Sequence, residues 1–138
     1  MKIMVSACLL GENCKYNGGN NYSEKVADFI RGHEVIPICP EVLGGLPTPR
    51  TPSEIVNGRV TASDGTDVDA QFRAGAQKVL ALAKEAQVEL VILQSRSPSC
   101  GVKQIYDGTF CGRKIPGMGV CARLLSENGF RLMDLEEL

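Results

Sequence analysis

Apolar residues fall along this chain in two rhythms. Unbroken runs, KIMVS at 2–6 and ELVILQ at 89–94, have the length of strands covered on both faces, as in a parallel sheet between helices. Helical spacing appears at 22–31, where Val26, Phe29 and Ile30 share a face, Ser23 is placed to cap the start and Gly32 the end. A long helix is predicted over 67–86, with Phe72, Ala76, Val79, Leu80 and Ala83 on one stripe. EVIPI at 34–38 reads as a strand. Pro37 puts it at a sheet edge or ends it early, because proline has no N–H for a central ladder. EIVNGRVTA at 54–62 predicts two short strands around Asn57-Gly58, and a second hairpin is expected around Asp107-Gly108. A helix at about 118–128, closed by Gly129, and a last strand FRLMD at 130–134 complete the set.

Strands alternating with helices predict an α/β protein. The expected architecture is one domain over residues 1–138 with a three-layer, Rossmann-like fold. Its sheet is mainly parallel, and the hairpins are short insertions. The net charge of −1 and pI of about 5.8 offer no basic face, so strong nucleic-acid binding is not expected; a single nucleotide or base remains a possible ligand. No apolar run approaches membrane-spanning length, and the start MKIMVSACLLG lacks the form of a signal peptide, so a cytoplasmic protein is expected.

Six cysteines change the picture. In a reducing compartment they are more often metal ligands or reactive thiols than disulfides. With one histidine, His33, the chain has little material for a His-rich metal site or a His-driven triad. Cys8, Cys39 and Cys100 each follow a predicted strand. In an open parallel sheet the loops at the strands' carboxyl ends converge on one crevice. The sixth position after Cys8 is Cys14, not arginine, so a phosphatase C-x5-R loop is excluded; no C-x-x-C is present either. Three scattered thiols lack the local spacings of a closed zinc site and suit an iron–sulfur cube with one iron left open.

Two further stretches accompany these thiols. CPEVLGGLPTPRTPSE at 39–54 is long, rich in proline, and contains Gly44 and Gly45, which are expected to let backbone approach a ligand. Glu41 is a candidate acid or base, and Arg50 either holds an anion or pairs with a carboxylate such as Glu54. SRSPSCG at 95–101 adds Ser95, Arg96, Ser97 and Ser99 beside Cys100.

Taken in order, SACLLGENCKYNGG, CPEVLGGLPTPRTPSE and SRSPSCG, followed by GTFCG and GMGV, resemble the thiouracil desulfurase (desulfidase) family over essentially the whole chain, in its stand-alone form. The resemblance implies a [4Fe–4S] cluster held by Cys8, Cys39 and Cys100. It also implies substrate sulfur on the free iron, and replacement of that sulfur by water with release of sulfide and no net redox change. The implied substrates are 2- and 4-thiouracil or 4-thiouridine monophosphate, that is, a thiopyrimidine base or nucleotide. Glu41 and Ser97 match positions implicated in catalysis. Ser95, Arg96, Ser99, Gly44 and Gly45 are the expected substrate contacts.

Two other classes compete with this reading: a non-enzymatic iron–sulfur or zinc-binding protein, and a thiol oxidoreductase. Cys14 either supports the cluster, replaces Cys8 as ligand, or pairs with another thiol. Cys8 is favoured because it lies closest to the strand end. Cys121 is expected in the core, Cys111 is undecided and His33 is expected at the surface. Tyr16 and Tyr22 are candidates for stacking on a base.

Overall fold

The computed structural model describes residues 1–138. Strands β1 (Lys2–Ser6), β2 (Glu34–Ile38), β5 (Leu90–Leu93) and β8 (Leu132–Asp134) form one sheet in the order β2-β1-β5-β8, with every pairing parallel. Pro37 lies in an edge strand, where its missing N–H interrupts no central ladder. The period of two sends alternate residues to opposite faces. Met4, Val91 and Leu93 pack with residues of α3 (Asp69–Ala86) and α4 (Val120–Glu127). Ile3, Val5, Leu90 and Ile92 pack with Val26 of α1 (Glu24–Ile30) and with Leu9 in the 3₁₀ turn Ala7–Leu10. The result is a three-layer α/β sandwich, as the alternation of runs and stripes requires.

Helix α1 begins as its sequence dictates, with the Ser23 hydroxyl accepting from the Val26 N–H at 3.3 Å. Two small hairpins sit outside the sheet: β3 (Ser53–Val56) with β4 (Arg59–Ala62), and β6 (Gln104–Tyr106) with β7 (Lys114–Pro116). The first turns at Asn57-Gly58, both left-handed. The second is wider than the two-residue turn expected at Asp107-Gly108. Gly108, Phe110 and Gly112 all take positive φ, Asp107 accepts from both Thr109 N–H and Thr109 O–H, and Glu54 Oε1 accepts from the Gly108 and Phe110 N–H groups. One carboxylate thereby ties the two hairpins together.

Asp69 locks the first hairpin to α3. Its side chain is 5% exposed; Oδ1 accepts from the Val60 N–H at 3.0 Å and Oδ2 from Arg73 Nε at 2.7 Å. Burial pushes the Asp69 carboxyl up, but Arg73, the Val60 N–H and Arg59 outweigh it, so the group ends below its usual range. An aspartate lowered in the folded state adds stability that is full above its unfolded value, about 4, and fades as pH falls through the folded one. Asp69→Ala also leaves the buried Val60 N–H unpaired, so a loss of about 1–3 kcal/mol is expected near neutral pH. Urea unfolding of both proteins between pH 7 and pH 3 should show that gap narrowing as pH falls below about 4.

Neither the 3₁₀ turn nor the short α2 (Pro40–Leu43) was legible as an element. Helix α2 lies backbone to backbone against α3. A Cβ on Gly44 would come within 2.0 Å of Gln71 O, and one on Gly75 within 1.9 Å of Pro40 O. Gly44 has an ordinary helical φ of −79°. It is glycine because of this close approach, and what approaches is a helix, not a ligand.

Candidate active site

The loops at the carboxyl ends of β1, β2 and β5 do converge. They surround a cavity of about 470 Å³ lined by Cys8, Cys14, Cys39 and Cys100, together with Glu41, Arg50, Gln94, Ser95, Arg96 and Ser97. Tyr16, Phe72 and Tyr106 supply aromatic surface, and Ser53 and Glu54 of the first hairpin close one side.

Each strand-end thiol is held differently. Cys8 sits in the 3₁₀ turn that follows β1, and Asn21 Nδ2 donates to its sulfur at 3.8 Å. Cys39 is the residue before α2, where Pro40 at the first helical position starts the turn. Its sulfur lies 3.4 Å from Glu41 Oε2. Cys100 is clamped by two sets of hydrogen bonds. Ser97 Oγ accepts from the Ser99 and Cys100 N–H groups, at 3.0 and 3.1 Å. The first N–H groups of α4 donate to carbonyls of the same loop: Val120 to Pro98, Cys121 and Ala122 to Ser99. The loop thus caps the helix, and the helix fixes the loop. Gly119 permits this contact, since a Cβ there would lie 2.4 Å from Ser99 C.

Glu41 is the electrostatic centre. Its carboxylate and the Arg50 guanidinium, 12% and 11% exposed, form a buried pair at 3.4 Å. Arg50 also donates to the Cys14, Pro47 and Thr48 oxygens, so it pairs with Glu41 and not Glu54, and binds three loop segments together. Glu41 Oε1 is buried and has no partner. Burial pushes the Cys8 and Cys100 thiols up, Cys100 strongly, and the nearby Glu41 charge adds to both. The contact between Cys14 and Cys39 pushes Cys39 far up and draws Cys14 down.

Other expected site residues have different roles. Ser95 lines the cavity, but its hydroxyl donates to buried Asp134 at 2.6 Å. Arg96, at a φ of 62°, lines the cavity too, while its guanidinium reaches Glu136. Both anchor the loop to β8 and the segment after it. Ser97 keeps its O–H proton to donate, but its oxygen is already engaged by two N–H groups. Gly44, Gly45 and Ser99 lie outside the cavity lining. Gly44 meets α3, Gly45 makes the left-handed turn after α2, and Ser99 is fully buried under α4 with a hydroxyl that has no partner. Cys121 is core, with burial pushing its thiol up to about 12, and Cys111 is exposed. Tyr16 reaches the cavity, but Tyr22 packs near Gly11 and is exposed. Gln94 and Tyr106 line the cavity unforeseen. Gln94 is the polar residue that ends the most apolar strand run, a position that faces the crevice in a parallel sheet.

The donor set is soft and sulfur-rich. No three His, Cys, Asp or Glu side chains crowd closely enough to chelate a single metal ion. A polynuclear cluster makes a different demand, because its cysteines bind different irons around one cavity. Four thiols on the walls of one cavity fit that demand.

A family model for 2-thiouracil desulfurase matches residues 3–137. The chain belongs to the 2-thiouracil desulfurase family. Among relatives, it is 43% identical to the uncharacterized protein YbbK of Bacillus subtilis (strain 168), over 99% of this chain and 97% of that one. Among solved structures, it superposes on the [4Fe–4S]-dependent thiouracil desulfidase TudS with a TM-score of 0.93 and 37% identity, over 99% of this chain and 92% of that one. For a family of thiouracil desulfurases, the fold expected from the sequence is the fold found. No helix of the chain is long and apolar enough to cross a membrane.

Proposed function

We propose that this protein removes sulfur from thiouracil compounds as a [4Fe–4S]-dependent desulfurase, yielding the oxo-pyrimidine and sulfide. The observation that carries the reading is the gathering of Cys8, Cys39 and Cys100 on one cavity whose charged centre is Glu41. The three strand-end thiols would hold the cluster: Cys8 in the 3₁₀ turn after β1, Cys39 at the start of α2, and Cys100 in the turn clamped by Ser97 and α4. Cys14 lies in a loop, hydrogen-bonded through its carbonyl to Arg50, and serves as a neighbour of Cys39. When bound, the cluster supplies a soft Lewis acid that accepts the substrate's sulfur.

The protein's own residues do the rest. Glu41 is held by Arg50 through Oε2, so the buried, unpartnered Oε1 is the oxygen left to take a proton from attacking water when substrate binding opens a path to it. Ser97, with its oxygen accepting two N–H groups, has only its O–H to offer, so it orients substrate or water and does not act as base. Tyr16, Phe72 and Tyr106 line the cavity with apolar surface that keeps bulk water from the reacting carbon.

The substrates we assign are 2- or 4-thiouracil, or 4-thiouridine monophosphate. The test is anaerobic reconstitution followed by parallel assays of sulfide and of the oxo-pyrimidine, uracil from a free base or uridine monophosphate from the nucleotide. Loaded protein should release both in equal amounts. Glu41→Gln should keep the cluster's absorbance and lose roughly 10²–10⁴-fold in turnover, the range for a positioned general base. Unchanged turnover removes Glu41 from the mechanism. A loaded protein that leaves every thiouracil compound intact points instead to a cluster carrier.

A further inference from the structure

Gln94 makes a demand that nothing else in the chain meets. It follows β5 directly, and its N–H donates to Ser6 Oγ at 3.0 Å, which pins it to the end of β1. It lines the cavity together with Cys8 and Cys100. Its Oε1 is buried and has no hydrogen-bond partner. Among the cavity's other polar side chains, Arg50 bonds Glu41 Oε2, Ser95 bonds Asp134, Arg96 reaches Glu136 through Nη2 and Glu54 ties to the second hairpin. Glu41 Oε1 and Arg96 Nε are also unpartnered, but each belongs to a charged group already in an ion pair, which leaves Gln94 as the neutral one. An orphaned buried carbonyl destabilises a fold by about 1–3 kcal/mol, so its presence in a ligand cavity points to a ligand that donates.

A carboxamide offers an acceptor and a donor side by side in one plane. Its complement is a cyclic amide edge, in which a ring N–H stands beside a C=O. Uracil carries that edge, and in its monothio forms the edge stands next to the sulfur-bearing carbon. Resting on the desulfurase reading above, we propose that Gln94 is the specificity-determining residue for the pyrimidine ring. A turn of the carboxamide out of its buried position lets Oε1 accept from the ring N–H at position 3 and Nε2 donate to the adjacent carbonyl oxygen. The pair fixes the ring's rotation within the cavity, and so fixes which ring carbon faces Glu41. A carboxamide reading a base edge through two hydrogen bonds has direct parallels in protein recognition of adenine.

The test uses cluster-loaded protein with 4-thiouracil and 3-methyl-4-thiouracil, which lacks the ring N–H. Calorimetric titration with uracil and 3-methyluracil runs alongside. Wild type should prefer the unmethylated compound by roughly 5- to 150-fold in both kcat/KM and affinity, the worth of one bidentate pair. Gln94→Met, nearly the same shape, should lower uracil affinity and flatten that preference while leaving the cluster's absorbance as it was. Gln94→Leu should behave alike, so a fold defect in one variant is exposed by the other. Equal treatment of methylated and unmethylated ligands by wild type overturns the assignment, as does a Met variant with unaltered preference or with an altered cluster spectrum. Failure of the desulfurase reading looks different: no sulfide from any substrate, with uracil still bound and still sensitive to Gln94.

Discussion

Cys39→Ala is expected to give a folded protein that loads no cluster and releases no sulfide from thiouracil. The fold should survive because Cys39 makes no side-chain cap on α2, so truncation removes no helix-stabilising bond. Pro40 still starts the helix, and the contact of Gly44 with Gly75 still seats it. What is lost is one of three strand-end donors, and the cavity offers no histidine as a substitute. Iron and sulfide content after anaerobic reconstitution, read beside the circular dichroism spectrum, checks both halves. Cys14→Ala is the informative companion, because Cys14 lines the same cavity. It should load its cluster; a Cys14→Ala protein without iron, beside a Cys8→Ala protein with it, would reverse the ligand assignment. Cys121→Ala should be less stable, since Cys121 is fully buried in the core, yet should load normally because it lies outside the cavity lining.

Gly75→Ala should damage the enzyme without touching the cavity. In an ordinary helix interior this change stabilises by about 0.5–1 kcal/mol, because alanine loses less backbone freedom on folding. Here the added methyl would lie 1.9 Å from Pro40 O and 2.8 Å from Pro40 C. Neither is the end of a flexible side chain, so α2 itself must move. A net loss of about 1–3 kcal/mol is expected, the usual range for overpacking. The larger consequence falls on chemistry. Cys39 and Glu41 flank Pro40, so both shift with it, and a displacement of about 1 Å at a reacting group lowers rates on the order of 10²-fold. Thermal unfolding and kcat on the same preparation test this; a variant that is both more stable and fully active would refute the packing argument.

The sheet was legible because its signal is short-range. KIMVS and LVIL are apolar on both faces, and only a covered parallel strand makes such runs favourable. Once those strands were placed, the convergence of Cys8, Cys39 and Cys100 followed from topology. What the sequence concealed depends on where loops travel. Gly44 looked like a ligand cradle because a glycine pair in a loop has the same composition whether it meets a substrate or a helix; only the path of α2 across α3 decides. Arg50 was weighed against Glu54, four residues away, and it reaches back nine residues to Glu41 because the proline-rich segment folds over α2. Ser97 reads as a free hydroxyl in sequence, but its oxygen accepts from the N–H groups that shape the Cys100 turn. Gln94 was absorbed into a strand run, and its orphaned oxygen becomes visible only with coordinates.

The bond from Glu54 to the Gly108 and Phe110 N–H groups carries a consequence for evolvability. The cavity has two suppliers. The strand-end loops and α2 furnish the thiols and Glu41, whereas the two hairpins furnish Ser53, Glu54 and Tyr106. One carboxylate couples the hairpins to each other, so they form a small unit whose length and side chains can drift together. Insertions there would resize the mouth for a bare base or a bulkier nucleoside while the chemistry beneath stays under separate selection.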